Sequence, residues 1–513
     1  MILCFLLASL ILFSSAEPFD VRSHLSTASR YDAVKGINNN GFVASPIPAG
    51  CSVIHLNLVA RHGTRSPTRK RIKELDRLAT KLEVLLSDAK QKAKEGHISL
   101  QKIPDWLWGW QSPWKGKETG GELVSKGEEE LYHLGIRTRE RFPDLFQEEY
   151  HPDIFPIRAT QVPRASASAV AFGMGLFSGK GSLGPGKHRA FAVISESRAS
   201  DIYLRFHDTC ENYKEYRRSQ EPAVDKLKEP IFEEVSSTLA TRLQLNFTSQ
   251  DVASLWFLCK QEASLLDITD QACSLFSPDE VALLEWTDDL EAFLLKGYGN
   301  SINYHMGVPL LQDVVRSMEL AIAAKEENLT PGSSEKARLR FAHAETLIPF
   351  TCLLGLFREG SDVSEFERIQ RMQPLEPPLK PPQKRNWRGS ILAPFAGNNM
   401  LVLYGCPGNE SKNSMSSGVS GSKYFVQVLH NEVPVPVPVC GNKDFFPFED
   451  FKERIVNAYL EHNFDSLCNK KLEPSKVESL VPHPVSCKFS KYFRWLFMSQ
   501  DDESHSDKHK TEL

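Results

Sequence analysis

The sequence lacks the features that mark several common protein classes. No two of its cysteines have Cys-x-x-Cys spacing, which argues against a zinc site. Beyond residue 16 no apolar run is long enough to span a bilayer, so no stable membrane insertion is expected once the first residues are removed. Neither sign of charge dominates: 61 Lys and Arg stand against 65 Asp and Glu, a net charge of −4. Bulk nucleic-acid binding is therefore not expected, and any anion site has to be a local basic pocket. There is no internal repeat.

What the chain has is length. Its 513 residues are too many for one ordinary core, and 41% hydrophobic with 25% charged residues is usual for a globular protein. Two intimately packed domains are expected. The opening, MILCFLLASLILFSSAEPF, reads as a secretory signal over 1–16. Ile2 to Phe13 is apolar but too short to span a bilayer, and Ser14-Ser15-Ala16 supplies small residues for cleavage, although no basic residue precedes the run.

Without Cys4, nine cysteines remain, an odd number, so in an oxidising compartment at least one is unpaired within the chain. Proximity suggests Cys259–Cys273, Cys406–Cys440 and Cys468–Cys487. A Cys51–Cys352 bridge would pin the two strand-end motifs described next, leaving Cys210. Asn246, Asn328 and Asn409 stand in Asn-x-Ser/Thr sequons, either glycosylation sites or chance matches. The final Lys-Thr-Glu-Leu differs by one residue from a Lys-Asp-Glu-Leu retrieval signal, which points to the endoplasmic reticulum lumen or to secretion; it also fits a plain polar tail over 496–513.

Residues 17–44 read as an extended N-terminal arm. "SVIHLNLV" (52–59) fits a buried strand, with Ile54, Leu56 and Leu58 on one face and Val53 and Val59 on the other. "ARHGTRSPT" follows, with Ser66 as N-cap and Pro67 at N1 of a helix carrying Ile72, Leu75, Leu78 and Leu82 at helical spacing. "DWLWGWQSPW" (105–114) suits satellite core better than a ligand-facing wall. Helices are expected over 120–142 and after 160, and strands at 154–159, 188–195, 337–341 and around 399–435. Residues 206–335 are almost wholly helical in pattern. The fold expected is an α/β sandwich domain over 45–205 and 336–495 with a mainly helical domain, 206–335, inserted in it.

One imidazole with two arginines at a strand end suits attack by neutral histidine nitrogen on a phosphate. Guanidinium groups neutralise the oxygens that repel a nucleophile, and the following helix N-terminus adds positive potential. Gly63 is expected to supply an unusual backbone angle and close approach to the ligand. "FAHAET" places His343 and Glu345 in the same context, at a strand end before a helix. Glu345 is a candidate acid for the leaving oxygen and His343 a further phosphate ligand; a pair of this kind also occurs for structural reasons alone.

The pattern Arg-His-Gly-x-Arg-x-Pro should arise by chance in on the order of one in ten thousand chains of this size. With "HAE", the Gly-Gly-Glu-Leu turn and helix at 120–142, and "RATQVPRASASA", the chain resembles the histidine acid phosphatase superfamily over about 45–495. Within it the chain is similar to the multiple inositol polyphosphate phosphatase, or phytase-like, branch. The resemblance implies His62 as nucleophile, Arg61, Arg65 and Arg158 as clamps on the scissile phosphate, His343 on the same phosphate and Glu345 as proton donor. Most of the superfamily carries His-Asp, so the acid is the assignment the departure touches. No cofactor and no metal is implied, because arginines and histidine carry the electrostatics.

Arg69, Lys70 and Arg71 work against the dipole of the helix they open, so they are read either as a basic rim for outlying phosphates or as a solvated face. Thr64 either lines the pocket or fills the turn; Arg164 is a second clamp or a surface charge; His207 is read as structural. Lys214, Arg217 and Arg218 are further basic candidates from the helical region. The partners expected are small anionic phosphate esters, inositol polyphosphates including the hexakisphosphate above all. The alternatives are a broad acid phosphatase, a 2,3-bisphosphoglycerate phosphatase, or a non-catalytic lumenal module that binds phosphorylated ligands.

Overall fold

The computed structural model describes residues 19–35, 42–330, 332–358, 380–381, 385–407 and 422–469. The signal 1–16, Asn409, Cys487, residues 470–495 and the tail 496–513 lie outside the described residues.

Among the described residues seven strands form one mixed sheet: β1 Ser52–Arg61, β2 Ile157–Ala159, β3 Ala337–Ala342, β4 Asn398–Gly405, β5 Tyr424–His430, β6 Val433–Pro434 and β7 Phe445–Pro447. Their order is β2-β3-β1-β4-β5-β6, with β7 also on β5. β2, β3 and β1 run parallel, and β4 and β5 continue antiparallel. Parallel neighbours require long crossovers. The crossover from β1 to β2 carries α1 Arg69–Lys94 and α2 Ser125–Arg141; the one from β2 to β3 carries α3 Pro163–Leu176, α4 Glu211–Leu243, α5 Ser249–Gln261, α6 Pro278–Lys296 and α7 Val308–Glu326; α8 Ala344–Leu353 follows β3.

Both faces of the sheet are covered. Leu56, Leu58, Ala60 and Phe341 pack with Leu131 and Leu134 of α2 and Phe172 of α3. On the other face Val59, Leu401 and Val426 pack with Leu311 and Val314 of α7 and Leu347 and Phe350 of α8. A third cluster joins Leu75, Leu78 and Leu82 of α1 to Leu239 of α4 and Leu255 of α5, and takes in Leu107, Trp110 and Trp114. The tryptophan-rich loop is therefore core.

Several local expectations change. Ile54 packs with the Val59 cluster and Val53 with the Leu56 cluster, because a register shift between Val53 and His55 reverses the side-chain parity. Residues 188–195 form only isolated bridges, Leu183 with His188 and Arg158 with Ile194. The helix after the first motif starts at Arg69 with Thr68 as N-cap. Ser66 is not the cap because its Oγ accepts from the backbone N–H of Gly121 (3.0 Å) and Glu122 (3.1 Å).

The arm is not extended over its described part. Val21–His24 and Ser26–Ala28 are 3-10 turns, Tyr31–Val34 is a helical turn, and Leu25, Tyr31 and Val34 are buried. Of the proposed disulfides only Cys259–Cys273 forms as expected. Cys51 joins Cys406 and Cys210 joins Cys468, while Cys352 and Cys440 are buried and form no disulfide among the described residues. The antiparallel pairing of β1 with β4 sets Ser52 against Gly405, which brings the flanking Cys51 and Cys406 together; Cys352 lies at the far end of α8.

Candidate active site

The parallel strands all end at one edge of the sheet, and β4 begins there: Arg61 pairs with Ala342, and Ala60 with Asn398. Ligand sites of open α/β sheets gather at this edge. β1 delivers His62 and β3 delivers His343. The two rings are 2% and 3% exposed, with centroids 5.4 Å apart and planes at 68°.

His62 Nδ1 lies 2.8 Å from the Gly63 carbonyl oxygen. A carbonyl only accepts, so Nδ1 carries the proton and Nε2 the lone pair. Burial pushes His62 well below the ordinary 6.5, and Arg164, Arg61, His343 and Arg65 push the same way. The imidazole is thus held neutral with a defined nucleophilic nitrogen.

The turn that presents it depends on a close backbone contact. A Cβ on Gly63 would fall 2.3 Å from the Gly127 oxygen, and one on Gly127 2.2 Å from the Thr64 oxygen. Gly63 does not occupy the left-handed region, so it is required by the approach of α2 rather than by an unusual angle or a ligand. Thr64 fills the turn: its N–H and Oγ1 donate to the Glu130 carboxylate at 2.8 and 2.9 Å.

Arg61, Arg65 and Arg164 are 3%, 7% and 9% exposed around His62. Arg61 Nη1 donates to the Thr27 and Ala393 carbonyls at 2.5 and 2.6 Å, and its Nε is buried without a hydrogen-bond partner among the described residues. Burial lowers Arg61 to about 10, which leaves it cationic at neutral pH. Arg164 Nη2 lies 3.5 Å from His343 Nδ1, and Arg205 Nη1 donates to His343 Nε2 at 3.2 Å. Burial, then Arg164, Arg205 and His207, push His343 well below 6.5 against the pull of Glu345. Thr160 Oγ1 also lies 3.0 Å from His343 Nε2, and Arg205 pairs on its other side with the Asp208 carboxylate.

Glu345 opens α8 and accepts from Lys296 Nζ at 2.8 Å. Burial alone would raise its pKa; Lys296, His207 and His343 overcome this and hold it well below 4.5. The expected proton donor is a carboxylate in this structure.

Other expected site residues are elsewhere. Arg158 is directly across from Arg340, on the same face of the sheet, where both guanidiniums lie near Asp313. Alternation along β2 thus turns Arg158 toward α7, and Arg164, at the start of α3, stands beside the histidines instead. Arg69 is exposed and pairs with Glu118 at 3.2 Å. Arg71 bonds Glu74 at 2.7 Å and covers Phe257. Lys70 acts on Glu221 of α4 and so faces the helical region. Lys214 pairs with Glu211 and Arg218 is exposed, whereas Arg217 is 13% exposed and bonds Glu221 at 3.0 Å.

Arg205 and Lys296 were not foreseen. Arg205 is 0% exposed in "YLRFHD", and a charge buried beside Leu204 and Phe206 was the available signal. Lys296 ends an apolar helix, where lysine ordinarily complements the dipole. The His207 ring lies 6.2 Å from that of His343, at the site rather than apart from it. Among the described residues no group of three or more His, Cys, Asp or Glu could hold a metal ion. A groove of about 780 Å³ beside the ends of α4 and α5 contains none of these side chains.

A neutral histidine among arginines, with a second histidine and a carboxyl opposite, is equipped for phosphoryl transfer. The profile of the histidine phosphatase superfamily, branch 2, matches residues 52–431. The chain belongs to this family. It is 28% identical over 465 residues to human multiple inositol polyphosphate phosphatase 1, covering 87% of this chain and 90% of that one. The Dictyostelium discoideum protein of the same name is 26% identical over 475 residues, covering 82% and 69%.

Among solved structures, the D. castellii phytase superposes with TM-score 0.62 at 19% identity, covering 89% of each chain. The Bifidobacterium longum multiple inositol polyphosphate phosphatase, solved with inositol hexasulfate, gives 0.60 at 19% identity, covering 85% and 98%. At these identities the superpositions establish the histidine phosphatase fold, an α/β sheet with many helices.

Proposed function

We propose that this histidine phosphatase hydrolyses phosphomonoesters of inositol polyphosphates, inositol hexakisphosphate included, through a phosphohistidine on His62. The observation that carries the reading is the Nδ1–H bond of His62 to the Gly63 carbonyl, which presents Nε2 among Arg61, Arg65 and Arg164. The names of the relatives support the substrate class.

In the first step His62 Nε2 attacks phosphorus, the P–N bond forms, and the bond to the inositol oxygen breaks. Arg61, Arg65 and Arg164 neutralise the equatorial oxygens from one side, His343 and Arg205 from the other. The leaving oxygen takes a proton from Glu345. A substrate phosphate arriving as the monoanion brings that proton: its negative charge opposes the hold of Lys296 and raises the proton affinity of Glu345. In the second step Glu345 takes a proton from water, the water oxygen attacks phosphorus, and the P–N bond breaks to give inorganic phosphate and neutral His62.

The test is phosphate release from inositol hexakisphosphate and from a small aryl phosphate, in chelator, for wild type and His62→Ala. Release that is faster on the inositol ester and falls at least about a thousandfold in the variant supports the reading. Faster turnover of the aryl ester favours a broad acid phosphatase, a reading to which a 27% identical Schizosaccharomyces pombe thiamine-repressible acid phosphatase lends weight. Activity that survives His62→Ala places the chemistry elsewhere. Three disulfides among the described residues and exposed Asn246 and Asn328 support work in the secretory pathway.

A further inference from the structure

Lys296 bears electrostatically on two carboxylates. Its Nζ donates to Glu345 at 2.8 Å, and it also acts on Glu291, on the same helix α6. Glu291 is bonded in turn to Lys228 Nζ of α4 at 2.7 Å, and Asp225 lies 3.7 Å beyond. Charge therefore alternates from Glu345 through Lys296, Glu291 and Lys228 to Asp225, out of the candidate active site and into the helical region. The Lys228 side chain is 2% exposed, a rare place for lysine. A buried ion pair is by itself weak evidence for stability. Neither Lys228 nor Glu291 has a part in the chemistry above, yet both bear on the cation that holds its acid.

We propose that Lys228 and Glu291 are positioning residues for the proton donor: the pair sets how tightly Lys296 holds Glu345, and so when Glu345 carries the proton that the leaving oxygen needs. The inference rests on Glu345 being that donor. With Lys228 in place, Glu291 is satisfied and Lys296 stays on Glu345. Without the Lys228 charge, Glu291 draws Lys296 away, and Glu345 keeps its proton to higher pH. Without the Glu291 charge, Lys296 is unopposed, and Glu345 loses its proton at lower pH.

Other charged groups face this chain. His207, His343, Arg61, Arg217 and Tyr213 interact with Glu345. Arg217 bears on Glu291, and Glu221 and Asp225 feel it, with Lys70 acting on Glu221. None of these groups is substituted in either variant, but Asp225, raised by burial to about 7 and paired with Lys228, responds to both, so Asp225→Asn in each background separates its titration from that of Glu345.

The experiment is the pH profile of kcat for inositol hexakisphosphate, read at the basic limb where the acid deprotonates. Lys228→Met should move that limb up and Glu291→Gln should move it down, each by roughly half to one pH unit. The double variant should return toward wild type, and Lys228→Arg should match it. Turnover of an aryl phosphate with a good leaving group, which needs no proton, should change little. Limbs that shift the same way or not at all, in variants with wild-type melting, overturn the proposal.

If Lys228→Met does not fold, Glu291→Gln against the double variant carries the same contrast. Glu345→Gln is run beside them. If it keeps its rate and limb on the inositol ester, the donor assignment fails, and the positioning role with it. If it loses the inositol activity but spares the aryl ester while the opposed shifts are missing, only the positioning role fails.

Discussion

Arg164 Nη2 lies 3.5 Å from His343 Nδ1, and the same guanidinium is, after burial, the strongest influence holding His62 neutral. One arginine thus bears on both histidines. Arg164→Ala should lower kcat/KM on inositol hexakisphosphate by about a hundredfold or more, as loss of a preorganised charge at a transition state does. Arg158→Ala should change it by less than about threefold, because its charge is spent near Asp313. Steady-state kinetics of the two variants side by side decide between them; equal losses would return Arg158 to the clamp.

The histidines set the acid behaviour. His62 lies well below 6.5, so the acid limb of kcat/KM should fall well below pH 6.5 once substrate ionisation is taken into account. Stability should behave differently. His430 is held at about 4 by burial, and His55, His62 and His343 are lowered too. Unfolding returns these groups to about 6.5, so between pH 6.5 and 4 they bind more protons unfolded and their contribution to stability falls as pH falls, whereas Asp225, Glu262 and Asp289, raised by burial to about 7, work the other way in the same window. A further loss belongs to Glu291, held at about 2 by Lys228 and Lys296 against burial; its contribution is full above about 4.5 and disappears toward pH 2. Melting temperature against pH, for wild type beside His430→Gln, checks both windows, and the same slope from pH 6.5 to 4 in the two proteins would contradict the first.

Gly127→Ala tests how the nucleophile is presented. The added methyl would meet the Thr64 oxygen at 2.2 Å, so α2 or the turn must give way. We expect a loss of about 1–3 kcal/mol in stability and a fall in kcat larger than the change in KM, because His62 and Gly63 belong to the displaced turn. Thermal denaturation with kinetics measures both.

Peptide mapping without reduction should recover Cys51–Cys406, Cys210–Cys468 and Cys259–Cys273. Replacing both Cys51 and Cys406 by Ser should cost about 2–4 kcal/mol. A recovered Cys51–Cys352 peptide would contradict the pairing of β1 with β4.

Much of the site was legible without coordinates. The apolar run at 52–59, the "RHGTRSP" turn and the helical spacing after it specify strand, turn and helix through local pattern alone, and "FAHAE" repeats that order. Those signals place His62 and His343 at strand ends. Residues 206–335 could be read as helical, but which of their charges turn inward could not. Arg217 and Arg218 are neighbours in sequence; one is 13% exposed against Glu221 and the other lies on the surface.

The sequence by itself determined the chemistry on offer: a histidine between arginines after a strand, a second histidine with a carboxyl after another, and an α/β order to hold them. Tertiary structure decided which cations stand beside the histidines. Strand alternation turned Arg158 to Asp313, a helix start brought Arg164 to the histidines, and antiparallel register gave Cys51 to Cys406. The protonation of Glu345 was also a tertiary matter, because Lys296, 49 residues away, supplies the charge that holds it. Local pattern reports the face and period of a segment; which segments meet, and what field each side chain then feels, arises only from their packing.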